Sequence, residues 1–271
     1  MRPTKSTIGI TGGRGTLGKI AATQLTRNGY DIDLFTGDIR NTSDLDQWIK
    51  GSAMDALLHF AAIVPTQEVA DQPDLAFAVN AEGTKKLLQT LCQHKKNIWF
   101  FYASSSHVYA SKSIPIKETD ATEPMNMYGK TKLAGEQFLI NGAQDFLGTI
   151  CIGRIFSFYH DTQAQSFLYP AIKKRLDQHN PQDRFELYGA KNARDFLNAE
   201  EVIERIIKLM ENSAEGVVNI GSGKARTIES FVKEVFNYPD LNIKNMSPED
   251  ESVLVADISK YKQLTHEGID A

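Results

Sequence analysis

At 271 residues the chain can bury one large core, or a main domain with a smaller one attached. Hydrophobic residues make up 41% and charged residues 24%, an ordinary globular composition that excludes a wholly disordered chain. Thirty basic against 34 acidic side chains give a net charge of −4, with no long Lys/Arg run and no apolar stretch long enough to span a bilayer; neither nucleic-acid binding nor a membrane anchor is expected.

The first half alternates strand and helix. Residues 7–11 (T-I-G-I-T) read as a short buried strand. A glycine-rich turn follows, then a helix through Ile20, Leu25 and Asn28, ended by Gly29. Residues 30–35 put Tyr30, Ile32 and Leu34 on one face, the period of a strand. A third strand is expected over 56–62, a continuous helix over 75–94 and an apolar strand over 98–103. A helix over 128–141 is ended by Gly142, and another buried strand spans 148–156. Near-continuous apolar strands separated by helices predict a parallel sheet covered on both faces, hence an α/β doubly wound (Rossmann) fold.

After Phe156 the pattern loosens. Residues 166–179 and 199–211 read as helices, 185–188 and 217–220 as strands, and Thr227 as the cap of a helix through Phe236; the polar stretch 237–250 reads as loop. The expected division is a dinucleotide-binding domain over 1–156, also receiving 196–221, and a smaller substrate-binding region over 157–271.

Thr11-Gly12-Gly13-Arg14-Gly15-Thr16-Leu17-Gly18 lies between the first strand and the first helix, with Gly12, Gly15 and Gly18 spaced G-x-x-G-x-x-G. A tight turn needs a residue that tolerates positive φ, and close approach of a diphosphate needs the absence of a Cβ. The helix N-terminus offers free N–H groups and its dipole. Glycine spacing alone fits an empty turn equally well; its place in a strand–turn–helix unit points to a dinucleotide. An acid at the end of the second strand would hold a free ribose 2′-hydroxyl. None sits plainly there. Arg14 is either a solvated turn residue or the partner of a 2′-phosphate, so the cofactor is NADP or NAD, with NADP slightly favoured.

Tyr128 and Lys132 stand four apart at the start of a helix and share a face. A phenol titrates near ~10, and a neighbouring ammonium is expected to lower that and suit Tyr128 to proton transfer. Taken alone, Tyr-x-x-x-Lys is more often a solvated helix face. Here Ser104-Ser105-Ser106-His107-Val108-Tyr109 follows the apolar strand 98–103, and the carboxyl ends of strands are where a doubly wound sheet builds its site.

These residues together resemble the extended short-chain dehydrogenase/reductases, the NAD(P)-dependent epimerase/dehydratase family acting on nucleotide sugars. The similarity is carried by Thr11 to Gly18, Asp38-Ile39-Arg40, His59-Phe60-Ala61-Ala62, Asn80 with Gly83-Thr84, and Ser105 with Val108-Tyr109. Further along it is carried by Tyr128 with Lys132, Arg194-Asp195-Phe196, Val218 to Gly223 and Ala256 to Lys260. The resemblance implies that Asp38 and Ile39 contact the adenine, that Ala61 and Ala62 line the cofactor, and that Asn80 shapes the helix behind the site. It implies further that Ile155 and Phe156 border the nicotinamide and that Arg194 meets the substrate diphosphate. Ser157 stands where the family has an asparagine on the substrate side.

Departures narrow the chemistry. Sugar dehydratases of this family carry Thr-Asp-Glu where this chain has Ser105-Ser106-His107, which argues against dehydration. Fucose-synthase-like members carry a cysteine at the place of His107 and a histidine at that of Phe167. The reading is a nucleotide-linked keto-sugar reductase in which Tyr128 transfers the proton, Lys132 holds the nicotinamide ribose and Ser105 holds the oxygen. His107 is a further acid–base candidate. The alternatives are a C4-type epimerase with retained NAD and a non-enzymatic dinucleotide sensor. By analogy a homodimer is expected.

His59, His94, His160, His179 and His266 show no ligand spacing, so no metal is expected. Residues 1–6 do not open a signal peptide, and Cys92 with Cys151 cannot be a disulfide framework; a cytoplasmic location is the expectation.

Overall fold

The structure is a computed structural model that describes residues 6–249 and 251–267. Its centre is a parallel sheet of six strands. These are β1 (Thr7–Thr11), β2 (Asp31–Leu34), β3 (Ala56–His59), β4 (Trp99–Ser105), β5 (Thr149–Ile155) and, from the second half of the chain, β10 (Gly216–Ile220). The spatial order is β2-β1-β3-β4-β5-β10. The chain therefore crosses over β1 between β2 and β3, and the crevice between the carboxyl ends of β1 and β3 is the switch point at which such sheets bind ligands.

The apolar residues of the strands set the two layers. Ile8, Ile10, Leu58 and Phe101 are buried with α1 (Thr16–Arg27) and α8 (Ala199–Glu211) on one side. Leu57, Phe100, Tyr102 and Ile152 are buried on the other with α2 (Thr42–Gly51) and α5 (Gly83–Gln93). Alternate residues of each strand thus feed opposite cores, which is why the strands read as continuous apolar runs. The α8 helix begins with a capping box, Asn198 with Glu201, and buries Val202, Ile203, Ile206 and Met210.

Three departures from expectation stand out. No helix was expected over α2; the Asn41 side chain caps it by accepting from Ser43 N–H, and it buries Leu45 and Ile49. The continuous helix over 75–94 is broken into α4 (Pro73–Phe77), a π-helical turn over Ala78–Glu82 and α5, preceded by the short α3 (Thr66–Asp71). The stretch 237–250 is not all loop: β12 (Ile243–Asn245) pairs in parallel with β7 (Phe185–Leu187), while Asp250 lies outside the described residues.

The rest of the second half builds a smaller layer beside the sheet. β6 (Ser157–Tyr159) pairs with β9 (Phe196–Asn198), and β8 (Ala193–Arg194) lies between β11 (Arg226–Thr227) and β13 (Val253–Leu254). Helices α7 (Leu168–Leu176) and α9 (Ile228–Val235), the latter capped by Thr227, close over a core where Phe196 and Phe231 stack at 4.0 Å. The α10 helix (Ser259–Thr265) places Tyr261 against the main core.

Candidate active site

The glycine turn closes tightly onto β3. Gly12 has φ +71°, and a Cβ there would stand 2.5 Å from the Ala61 nitrogen; a Cβ on Gly18 would stand 2.3 Å from the Gly12 carbonyl oxygen. Both positions require glycine. The α1 helix starts on Gly15, which has no side chain to cap it, and its first turn (Thr16, Leu17, Gly18) carries no acid. Its N–H groups and dipole are therefore available to an anion, and the turn fits a dinucleotide diphosphate.

A cleft of about 690 Å³ opens beside this turn, lined among others by Gly12, Arg14, Asp38, Ile39 and Ala61, five of the residues singled out from the sequence. Thr36 and Gly37 line it where β2 ends. Of the two acids in β2, Asp31 opens the strand, and Asp33, nearer its end, is committed elsewhere: its carboxylate accepts from Trp48 Nε1 at 2.8 Å and from the Ser52 hydroxyl. Asp38 is clamped by Arg40, whose hydrogen bonds hold its carboxyl down at about 2. Asn80 sits fully buried in the π-helical turn. Its amide donates to the Ile63 carbonyl at 2.9 Å and accepts from Ile63 N–H at 2.8 Å, pinning the chain that leaves β3. Ala62, in that segment, is half-buried. π-bulges are frequent at functional sites.

The catalytic candidates meet at the carboxyl ends of β4 and β5. Ser105 ends β4, and the Asn126 side chain caps α6 (Met127–Gly142), whose first residues carry Tyr128. Ser105 lies near enough to the Tyr128 phenol to pull its pKa down against the effect of burial. Ile155 ends β5, opposite Ser105 in the sheet register, and Phe156 packs with Val108 and Tyr109. Lys132, one turn along α6, is 2% exposed and lies over the Tyr102 ring at 4.2 Å from its centroid.

The electrostatic coupling expected from the Tyr128–Lys132 spacing is overridden. Burial dominates Tyr128 and pushes its phenol up to about 12, with Ser105 pulling the other way. Lys132 is drawn down to about 7 by burial, opposed by the Glu136 carboxylate. Desolvation of both groups outweighs the attraction read from their spacing. Tyr128 is thus a neutral phenol at physiological pH, a proton donor by default.

His107 is brought to the site as well. Its ring meets that of Tyr128 edge-on at 5.6 Å, and burial first, then the Arg194 charge, lower its pKa. Arg194 donates to the Ser252 carbonyl and hydroxyl at 2.9 and 2.8 Å. Its neighbour Asp195, fully buried, accepts from Ser222 N–H, Gly223 N–H and Ala256 N–H, which fixes the strand carrying Arg194. Ser157 opens β6, opposite Phe196 of β9.

Two groups escaped the sequence reading. One is the Glu136–Arg154 pair, signalled by a charged residue within a buried strand. The other is the bonding of His59: Ala61 N–H donates to Thr11 Oγ1, which bonds His59 Nδ1 at 2.6 Å, while His59 Nε2 bonds Thr84 Oγ1 at 2.9 Å and Thr84 donates to the Asn80 carbonyl. Thr84 has used its proton, so Nε2 carries the imidazole proton and Nδ1 accepts. His59 is a satisfied core residue, as its place in the buried strand suggested.

Among the described residues no group of three or more His, Cys, Asp or Glu side chains is arranged to hold a metal ion, and no helix is long and apolar enough to cross a membrane.

The family model described as GDP-mannose 4,6 dehydratase matches residues 14–267. The chain belongs to this family, within the extended short-chain dehydrogenase/reductases of nucleotide-sugar metabolism. Among curated members, GDP-6-deoxy-D-mannose reductase of Pseudomonas aeruginosa is 27% identical over 186 residues, covering 66% of this chain and 61% of that enzyme. The chain thus spans less than two thirds of this relative's length. Among solved structures, RMD from Pseudomonas aeruginosa complexed with NADPH superposes with a TM-score of 0.85 at 21% identity, over 97% of this chain and 93% of that one. UDP-glucose 4-epimerase of Thermus thermophilus in complex with NAD gives 0.80 at 20% identity, over 95% and 92%. This extended short-chain dehydrogenase/reductase therefore shares its fold with proteins that hold either dinucleotide.

Proposed function

We propose that the chain is an NAD(P)-dependent oxidoreductase that reduces a nucleotide-linked keto-sugar, with NADP as the favoured cofactor. The observation that carries this reading is the convergence of Ser105, at the end of β4, and Tyr128, at the start of α6, beside the dinucleotide crevice. Bound along that crevice, the nicotinamide would supply the hydride. Tyr128, a neutral phenol, would donate the proton to the sugar oxygen while Ser105 holds that oxygen. Lys132 would hold the nicotinamide ribose, between Tyr128 and the walls formed by Ile155 and Phe156. Asp38 and Ile39 would flank the adenine, with Ala61 and Ala62 along the cofactor and Asn80 holding the wall behind it.

The preference for NADP is supported by the commitment of Asp33 to Trp48 and Ser52, which leaves Arg14 and Thr36 where the ribose edge would lie. Arg194 and Ser157 are assigned to the substrate phosphates, and His107 to the sugar beside Tyr128. Residues 1–156 with 196–221 would form the dinucleotide domain and the remainder of 157–271 the substrate region. A cytoplasmic homodimer completes the reading.

The test is to identify the nucleotide that co-purifies and then follow nicotinamide absorbance against a panel of nucleotide-linked keto-sugars. NADPH-dependent reduction of a keto-sugar supports the reading. Tightly held NAD with interconversion of a nucleotide sugar and no net reduction would replace it with a C4 epimerase using the same three residues.

A further inference from the structure

We propose that Glu136 is a positioning residue for Lys132: its buried carboxylate favours the ammonium form and ties α6 to the strand ends that carry Ser105 and Ile155. The proposal rests on the role assigned above to Lys132.

Glu136 follows Lys132 by one turn on α6, and the two are 1% and 2% exposed. Arg154 Nε reaches Glu136 Oε1 at 3.0 Å and Oε2 at 3.2 Å, and Nη2 reaches Oε2 at 2.7 Å. The Ser104 hydroxyl donates to the same carboxylate. Ser104 and Arg154 face each other in the register of β4 and β5, one step before Ser105 and Ile155. One carboxylate on α6 therefore bonds both strands next to the residues that α6 must meet. Arg154 is itself fixed, donating to the Tyr109 hydroxyl at 2.7 Å.

The charge balance gives Glu136 its second role. The titratable groups around Lys132 are His59 from β3, Tyr102 from β4, Tyr128 and Glu136 from α6, and Arg154 from β5 behind Glu136. His59 is held neutral, its pKa lowered to about 3 by burial and by Lys132, and the two tyrosines are neutral phenols. Glu136 is thus the anion that acts on Lys132 and bonds Arg154, while the Glu118 carboxylate acts on Tyr109 next to Arg154. Without it, Lys132 and Arg154 would both lose the carboxylate they share. Because a guanidinium does not give up its proton, Lys132 would yield first.

The experiment follows the Lys132 side-chain resonance by NMR across pH in the full chain, in parallel with activity. In Glu136→Gln the Lys132 midpoint should fall by about one pH unit or more, since a nearby opposite charge is lost. In Arg154→Gln it should rise, because the carboxylate then serves Lys132 alone. Glu136→Asp, which keeps the charge, should stay near wild type. A folded Glu136→Gln with an unmoved midpoint overturns the proposal, as would an unmoved midpoint in Arg154→Gln should Glu136→Gln not fold. Failure of both to fold would also overturn it, making the cluster scaffold alone. Midpoints that move as expected in a protein that reduces no keto-sugar would uphold the charge relationship and remove the oxidoreductase reading instead.

Discussion

Asn126 and His107 are joined by a 3.3 Å hydrogen bond that sets which imidazole nitrogen carries the proton. Asn126 Oδ1 accepts from Gly129 N–H at 2.8 Å, so its amide nitrogen faces His107 and donates to Nδ1. The proton of the neutral ring is thereby assigned to Nε2. With its pKa lowered by burial and by Arg194, the ring is neutral at physiological pH. It can donate a hydrogen bond to a sugar hydroxyl, while its free lone pair is occupied by Asn126.

From this follows the first expectation. During turnover in deuterated water, the wild-type enzyme should leave the carbon next to the ketone unlabelled, and His107→Ala should chiefly raise KM. Deuterium incorporation that disappears in His107→Ala would instead make His107 an acid–base.

Cofactor choice is read at Arg14. If its guanidinium meets a 2′-phosphate, Arg14→Ala should weaken NADPH binding by more than ~1.5 kcal/mol, the lower end for a charge-assisted contact, and leave NADH nearly unchanged. Titration calorimetry with both dinucleotides checks this; equal losses would reduce Arg14 to a loop residue.

Gly12→Ala probes the crevice itself. The new methyl would meet the Ala61 nitrogen at 2.5 Å, at a backbone φ of +71°. Dinucleotide affinity should fall at least tenfold, about 1.4 kcal/mol, and the melting temperature should drop. Unchanged affinity would remove the glycine turn from the cofactor site.

His59 gives a pH signature. Its folded pKa of about 3 lies below the unfolded value near ~6.5, so the unfolded chain takes up the proton first. Its share of stability is complete above pH ~6.5 and is lost as pH falls from there toward 3, at up to roughly 1.4 kcal/mol per pH unit. His59→Gln should flatten that part of a denaturant-derived stability–pH curve, whatever its effect on stability at neutral pH. An unaltered slope would mean that His59 is not buried neutral.

Much of this was legible because the chemistry lies at strand ends and on one helix face. Gly12, Gly15 and Gly18 announce a turn by composition, and Tyr128 with Lys132 share a face by spacing alone. The π-helical turn at Asn80 was not legible, since a single i→i+5 turn leaves the apolar periodicity of residues 75–94 nearly intact. The α2 helix was missed because only Leu45 and Ile49 are fully buried on it; Asn41 was the available signal. β12 buries no residue fully and is stabilised by its partner β7 rather than by its own pattern. The pKa balance at Tyr128 and Lys132 depends on burial, which spacing cannot supply.

The central claim is that Tyr128 donates the proton in a hydride transfer. Tyr128→Phe removes the hydroxyl and keeps the ring, so single-turnover oxidation of bound NADPH by the accepted keto-sugar should slow by about two to four orders of magnitude, with dinucleotide affinity unchanged. Near wild-type turnover in Tyr128→Phe would contradict the account.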